Sequence, residues 1–71
     1  MNLKEIDNIV GKRFLTNGGR VMRCGGRQDT TEPDVYVWRF FSPSGASFWY
    51  DESGVLDSPN LGSDFDLSKV F

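Results

Sequence analysis

Between Tyr36 and Tyr50 two runs of alternating residues flank Ser42-Pro43-Ser44-Gly45, and seven of the ten aromatic residues of the chain fall in that stretch. Period-two alternation on both sides of a Pro/Gly corner is the signature of a β-hairpin. Ser first, Pro second and Gly fourth suit a type I turn closed by a left-handed glycine, a common three-residue hairpin connection. Counting back from that turn sets a register. Ser42 opposes Ala46, so Phe40 faces Phe48, Trp38 faces Tyr50 and Tyr36 faces Glu52 on one side. On the other, Phe41 faces Ser47, Arg39 faces Trp49 and Val37 faces Asp51. The first face carries a quartet of rings and is the natural core. The second places Arg39 beside Trp49 at a half-exposed position, a geometry suited to a cation–π contact.

The remaining residues must complete a fold around this hairpin with few other resources. A chain of 71 residues builds one domain and buries about 60% of its unfolded surface. With Cys24 as its one cysteine and no histidine, it forms no internal disulfide and lacks the commonest metal ligand and general base. The expectation is a single reduced domain over residues 1–71, without cofactor or metal, held by its large aromatics or by self-association.

Residues 1–11 read as a short helix, with Asn2 as N-cap, Glu5 three residues on, Leu3, Ile6, Ile9 and Val10 on one face, and Gly11 as terminator. Residues 12–71 read as a β meander. Lys12 to Thr16 and Arg20 to Cys24 flank Asn17-Gly18-Gly19, a second hairpin in either of two registers, pairing Leu15 with Met22 or Phe14 with Val21. Gly25 to Asp34 has no apolar member and reads as a loop, of a length at which loops are often mobile or functional. Asp51-Glu52-Ser53-Gly54 repeats the turn logic and returns Val55 and Leu56 beside Trp49 and Tyr50. Ser58 to Gly62 is a loop. Phe65, Leu67 and Phe71 alternate with polar residues in a closing strand or turn, with Phe71 tucked in. The fold class is therefore mainly β (α+β): about five antiparallel strands forming a small SH3-like barrel or curled sheet, preceded by one short N-terminal helix.

Charge narrows the function. Residues 1–28 hold six Lys/Arg against two Asp/Glu, and residues 29–71 hold two against eight. The simplest expectation is that the two halves offset each other within the fold. The alternative is that one pole is a docking surface. No apolar run approaches the length of a membrane span and nothing resembles a signal peptide, which points to a cytoplasmic protein without a membrane partner. Without histidine, and with no serine in a Gly-x-Ser-x-Gly setting, no nucleophile–base pair can be nominated. Gly18-Gly19 and Gly25-Gly26 lack the Lys-Ser/Thr of a phosphate loop, and the spacing of the Asp and Glu residues matches no calcium loop. Catalysis is thus not expected. The leading expectation is a protein-binding module acting through Arg39, Phe41, Trp49 and the flanking Asp51, because interfaces favour Trp and Arg anchors. The alternative is nucleic-acid or nucleotide binding, including sequestration of a signalling nucleotide, through Arg13, Arg20, Arg23 and Arg27 of the basic N-terminal half. Pairing of an open strand edge into a homodimer is a third expectation.

The run Asn17-Gly18-Gly19-Arg20-Val21-Met22-Arg23-Cys24, the Tyr50-Asp51-Glu52-Ser53-Gly54 turn and the late Asp64-Phe65-Asp66-Leu67 resemble short β-rich accessory proteins encoded by bacteriophages and prophages. The resemblance spans most of the chain and rests on turn residues. It implies a factor that binds and blocks host defence or regulatory machinery in the bacterial cytoplasm, with a host protein as partner. The Gly25-to-Asp34 insertion and the density of aromatics depart from that pattern. No set of functional residues carries over.

Overall fold

Ser42 N–H donates to the Ala46 carbonyl at 2.9 Å, and Gly45 N–H donates back to the Ser42 carbonyl at 2.9 Å. Gly45 sits at φ 90°, where a side chain would be strained. The turn is therefore the one expected, and the pairs that follow from it are present: Phe41 with Ser47, Phe40 with Phe48, Arg39 with Trp49 and Trp38 with Tyr50. The computed structural model describes residues 1–28 and 35–71 of the protein. Its strands are β1 (Arg13–Thr16), β2 (Val21–Arg27), β3 (Tyr36–Phe41), β4 (Ser47–Asp51) and β5 (Leu67–Val70). All pair antiparallel in one open sheet of order β4-β3-β2-β1-β5, in which the last strand returns to β1.

Beyond Trp38 the hairpin departs from the counted register. Tyr36 lies opposite Asp51 rather than Glu52, and Val37, expected across from Asp51, falls in a β-bulge. Val37 is 3% exposed and joins the core. An extra residue on one strand reorients its neighbours, and burying a valine is worth about 1.5–3 kcal/mol, so the bulge exchanges regular pairing for core packing.

Neither expected register of the first hairpin is adopted. Phe14 pairs with Met22 and Leu15 with Val21. Both expectations assumed a two-residue corner, whereas Thr16 N–H donates to the Arg20 carbonyl at 2.8 Å and Gly19 N–H to the Thr16 carbonyl at 3.0 Å. Gly19, at φ 84°, takes the place that Gly45 takes in the other hairpin, so both turns have three-residue loops. The pairing puts Phe14, Met22 and Cys24 on the buried side and Arg13 and Arg23 on the exposed side.

The N-terminal helix does not form. A single 3-10 turn, Leu3–Glu5, takes its place. Asn2 caps as expected, its Oδ1 accepting from Lys4 N–H at 3.2 Å. The chain then leaves helical geometry at Ile6, and Asn8 has φ 54°. Two helical turns have too few hydrogen bonds to offset nucleation, and the apolar residues are held by the sheet instead. Leu3, fully buried, donates its N–H to the Glu52 carbonyl at 2.9 Å. The glycine-rich loop begins later than expected, because Gly25, Gly26 and Arg27 belong to β2. Its continuation, residues 29–34, lies outside the described residues. Leu56 bridges to Tyr50 as anticipated, while Val55 lies across from Asp51.

The segment Pro59–Phe65, read from sequence as a loop running into a strand, is a 3-10 stretch interrupted at Gly62. It crosses the end of the sheet and is tied there by polar contacts. Tyr50 donates its hydroxyl to the Phe65 carbonyl at 2.6 Å, Leu56 N–H donates to Asp66 Oδ1 at 3.0 Å, and Asn17 N–H donates to the Asp66 carbonyl at 2.9 Å. Phe71 is 65% exposed rather than tucked in. Its N–H extends the β1–β5 ladder by donating to the Arg13 carbonyl at 2.9 Å.

The core is an edge-to-face chain of rings, with Phe14 on Phe40 at 5.2 Å and Phe40 on Tyr50 at 5.0 Å. Such contacts add about 0.5–1.5 kcal/mol beyond area burial. Burial, and secondarily the charge of Asp66, raises the Tyr50 hydroxyl well above its ordinary range. A phenol whose pKa is higher folded than unfolded stabilises the fold fully below its unfolded value, near pH 10, and loses that contribution as pH rises further. Tyr50→Phe should cost about 1–2 kcal/mol in urea unfolding at neutral pH by leaving the Phe65 carbonyl unpaired. The gap from the wild type should narrow above about pH 10, and a gap that is constant or widening there would refute the assignment.

Candidate binding face

Residues of β1 to β4 that point away from the core bring three cations and two rings together. Arg39 pairs across the ladder with Trp49, Phe41 pairs with Arg23, and Arg23 pairs with Arg13. The Arg39 guanidinium lies 4.8 Å from the Trp49 ring centre and 6.0 Å from that of Phe41. Arg13, Arg23 and Arg39 are exposed, and Phe41 and Trp49 are half-buried. Strands spaced about 4.8 Å apart thus carry an unbroken diagonal from Trp49 on β4 to Arg13 on β1.

A bulge shapes the middle of this face. The β2–β3 register shifts between Cys24 and Gly26, leaving Gly25 unpaired. A Cβ on Gly25 would lie 2.3 Å from Phe41 Cε2, so the ring rests directly on the glycine backbone. Two depressions open beside it. One of about 600 Å³ is lined by Arg13, Arg23, Phe41 and Pro43, and one of about 400 Å³ by Gly25, Gly26, Arg39 and Trp49.

Between the two halves the described residues make one close charge contact. Among the described residues Arg27 and Glu52 form the only ion pair, at 2.8 Å, and a pair so exposed is worth about 0–1 kcal/mol. Arg13, Arg23 and, beside Leu15, Lys69 make no ion pair among the described residues. Several carboxylates are engaged by backbone instead. Asp51 Oδ1 accepts from Ser53 and Val55 N–H, both at 2.9 Å, and Asp66 caps Leu56.

The structure therefore redistributes the residues singled out from sequence. Arg39, Phe41 and Trp49 stand together. Asp51, grouped with them, is committed to its own turn. The basic set is split: Arg13 and Arg23 join the aromatic face, Arg27 is paired with Glu52, and Arg20 lies 4.8 Å over the Phe65 ring at the end of the sheet. The union of Arg13 and Arg23 with Phe41 was missed from sequence. The signal was present, since Thr16 and Gly19 occupy the same turn positions as Ser42 and Gly45, and that count places Arg13 opposite Arg23.

Cys24 is buried, and burial pushes its thiol up against a smaller opposing effect from a backbone hydrogen bond with Gly26. A thiol so placed is a poor nucleophile. Among the described residues no group of three Cys, Asp or Glu side chains is placed to hold a metal ion, and no helix is long and apolar enough to cross a membrane. Comparison with protein families, with curated proteins and with solved structures finds no match.

Gly25→Ala tests how the face is built. The closest group is a half-buried ring, with the Arg39 carbonyl next at 3.3 Å, so the ring should swing aside at a stability cost of about 1 kcal/mol. Amide spectra should shift at Phe41 and Arg39 while the Phe14 and Tyr50 environments hold. Unchanged Phe41 signals would show that the ring does not rest there.

Proposed function

We propose that the protein is a non-catalytic binding module that docks a partner protein on the exposed face of its sheet, with Trp49, Arg39 and Phe41 at the centre and Arg13 and Arg23 alongside. The observation that carries this reading is the Arg39 guanidinium stacked at 4.8 Å on a half-buried Trp49. Hot spots concentrate in such Trp and Arg groups, and a guanidinium placed over an indole can still donate to a partner from its N–H groups. The unpaired cations beside the cluster favour a partner with an acidic surface. In architecture we read the sheet as a small SH3-like barrel left open, supported by a curl that brings Leu67 N–H within 2.9 Å of the Gly54 carbonyl. The resemblance to phage accessory proteins favours a host regulatory or defence protein in the bacterial cytoplasm as the partner.

Affinity purification from a bacterial lysate with wild-type and Trp49→Ala protein tests the reading. A partner recovered by the wild type should bind Trp49→Ala at least about tenfold more weakly, as loss of a hot-spot residue implies. Equal recovery by both proteins would refute the role of this face.

A second reading, single-stranded nucleic acid, is favoured by one feature: Arg13 and Arg23 stand in register with Phe41. Proteins of that kind combine a positive groove with stacking rings. The net charge of −2 and pI of 4.8 weigh against it. Anisotropy titrations with a labelled oligonucleotide discriminate, because such binding falls steeply with salt and should disappear in an Arg13→Ala, Arg23→Ala double variant. No binding at low salt would dispose of this alternative.

A further inference from the structure

Where the turns of the two hairpins meet the Pro59–Phe65 segment, a cavity of about 370 Å³ opens among Arg20, Met22, Pro43, Phe48 and Phe65. It is separate from the cluster of Trp49, Arg39 and Phe41. Two half-buried rings form its apolar wall, Phe48 and Phe65, with centroids 5.8 Å apart and planes tilted by 30°. The Arg20 guanidinium stacks on Phe65 at 4.8 Å. Two hydroxyls, those of Ser42 and Ser44, stand 2.8 Å apart at the rim.

Mostly apolar concavities with a few convergent polar groups, often at the mouths of curled sheets, are how proteins hold small molecules, in volumes of about 300–1,000 Å³. Arg20 supplies the selectivity. Among the described residues it makes no ion pair, neither with Asp64 nor with Asp66, the two carboxylates that flank Phe65 in the sequence. A guanidinium over a ring still carries N–H donors that can receive an oxyanion.

We propose that this cavity binds a small ligand with a flat apolar body and one anionic group, the body lying against Phe48 and Phe65 and the anion on Arg20. Carboxylate and phosphate share that chemistry, and three probes separate them: 3-phenylpropionate, its uncharged analogue 3-phenylpropionamide, and AMP. Each is titrated into full-length wild-type and Arg20→Gln protein and followed by amide spectra, which also report that the exposed substitution leaves the fold intact. The expected result is saturable shifts at Arg20, Phe48 and Phe65 with at least one of the two anions. Removing the charge from either side, by the amide or by Arg20→Gln, should weaken binding by about tenfold or more, as loss of a charge-assisted contact implies. Saturation by AMP and not by 3-phenylpropionate would identify a phosphate site, and the reverse a carboxylate site. The proposal is overturned by any of three results: neither anion shifts these amides at millimolar concentration, the amide binds as well as the acid, or Arg20→Gln binds as the wild type does. Shifts confined to Phe41, Arg39 and Trp49 would likewise overturn it, by placing the ligand on the other face.

Discussion

The reciprocal hydrogen bonds between Ser42 and its turn partners Ala46 and Gly45 set which side of the sheet each ring of the hairpin occupies. Side chains alternate along a strand, so a slip of one residue in β3 against β4 would move Trp38 and Phe40 to the solvent side and bring Arg39 and Phe41 inward. That exchange would bury a guanidinium with no carboxylate to receive it, at a cost of several kcal/mol. The left-handed glycine at position 45 thus determines both how the chain forms a core and what it displays.

From that division follow two surfaces of different character. On the core side the rings continue from Phe14 through Phe40 to Tyr50, whose hydroxyl fastens the 3-10 segment at Phe65. Phe48 and Phe65 complete this side only partly, which leaves the apolar cavity beside Arg20. The opposite side brings Arg13, Arg23 and Arg39 beside Phe41 and Trp49 in a chain that is acidic as a whole. Of the described carboxylates, Asp51 accepts within its own turn, Asp66 accepts from Leu56 and Glu52 pairs with Arg27. Both proposed roles, docking on the outward face and small-anion binding at the sheet end, rest on arginines held against rings.

Legibility varied with the range of the interaction. The β3–β4 register could be counted because one Pro/Gly turn specified it, and it held over four residue pairs before the bulge at Val37. The first hairpin was misregistered because Asn17-Gly18-Gly19 offers three adjacent residues tolerant of a corner, and local chemistry does not choose among them. Its choice was made by contacts from afar: Asn17 and Gly18 donate their N–H groups to the Asp66 and Asp64 carbonyls. The N-terminal stripe of Leu3, Ile6 and Ile9 was apolar at helical spacing, yet Leu3 docks by backbone pairing to Glu52. Periodicity reports which residues seek burial more faithfully than it reports the conformation that buries them.

The sequence by itself determined the local devices. These are the positive-φ glycines at both hairpin corners and the period-two segregation of Trp38, Phe40 and Tyr50 from Arg39 and Trp49. Tertiary structure alone decided that β5 returns to β1, that Gly25 bulges beneath Phe41, and that Arg13 and Arg23 line up with the aromatic cluster while Arg20 and Arg27 do not. The reason is physical. Turn geometry depends on the φ and ψ of a few adjacent residues, whereas strand order and bulges are settled by which distant surfaces bury the most apolar area once the loop-closure entropy has been met.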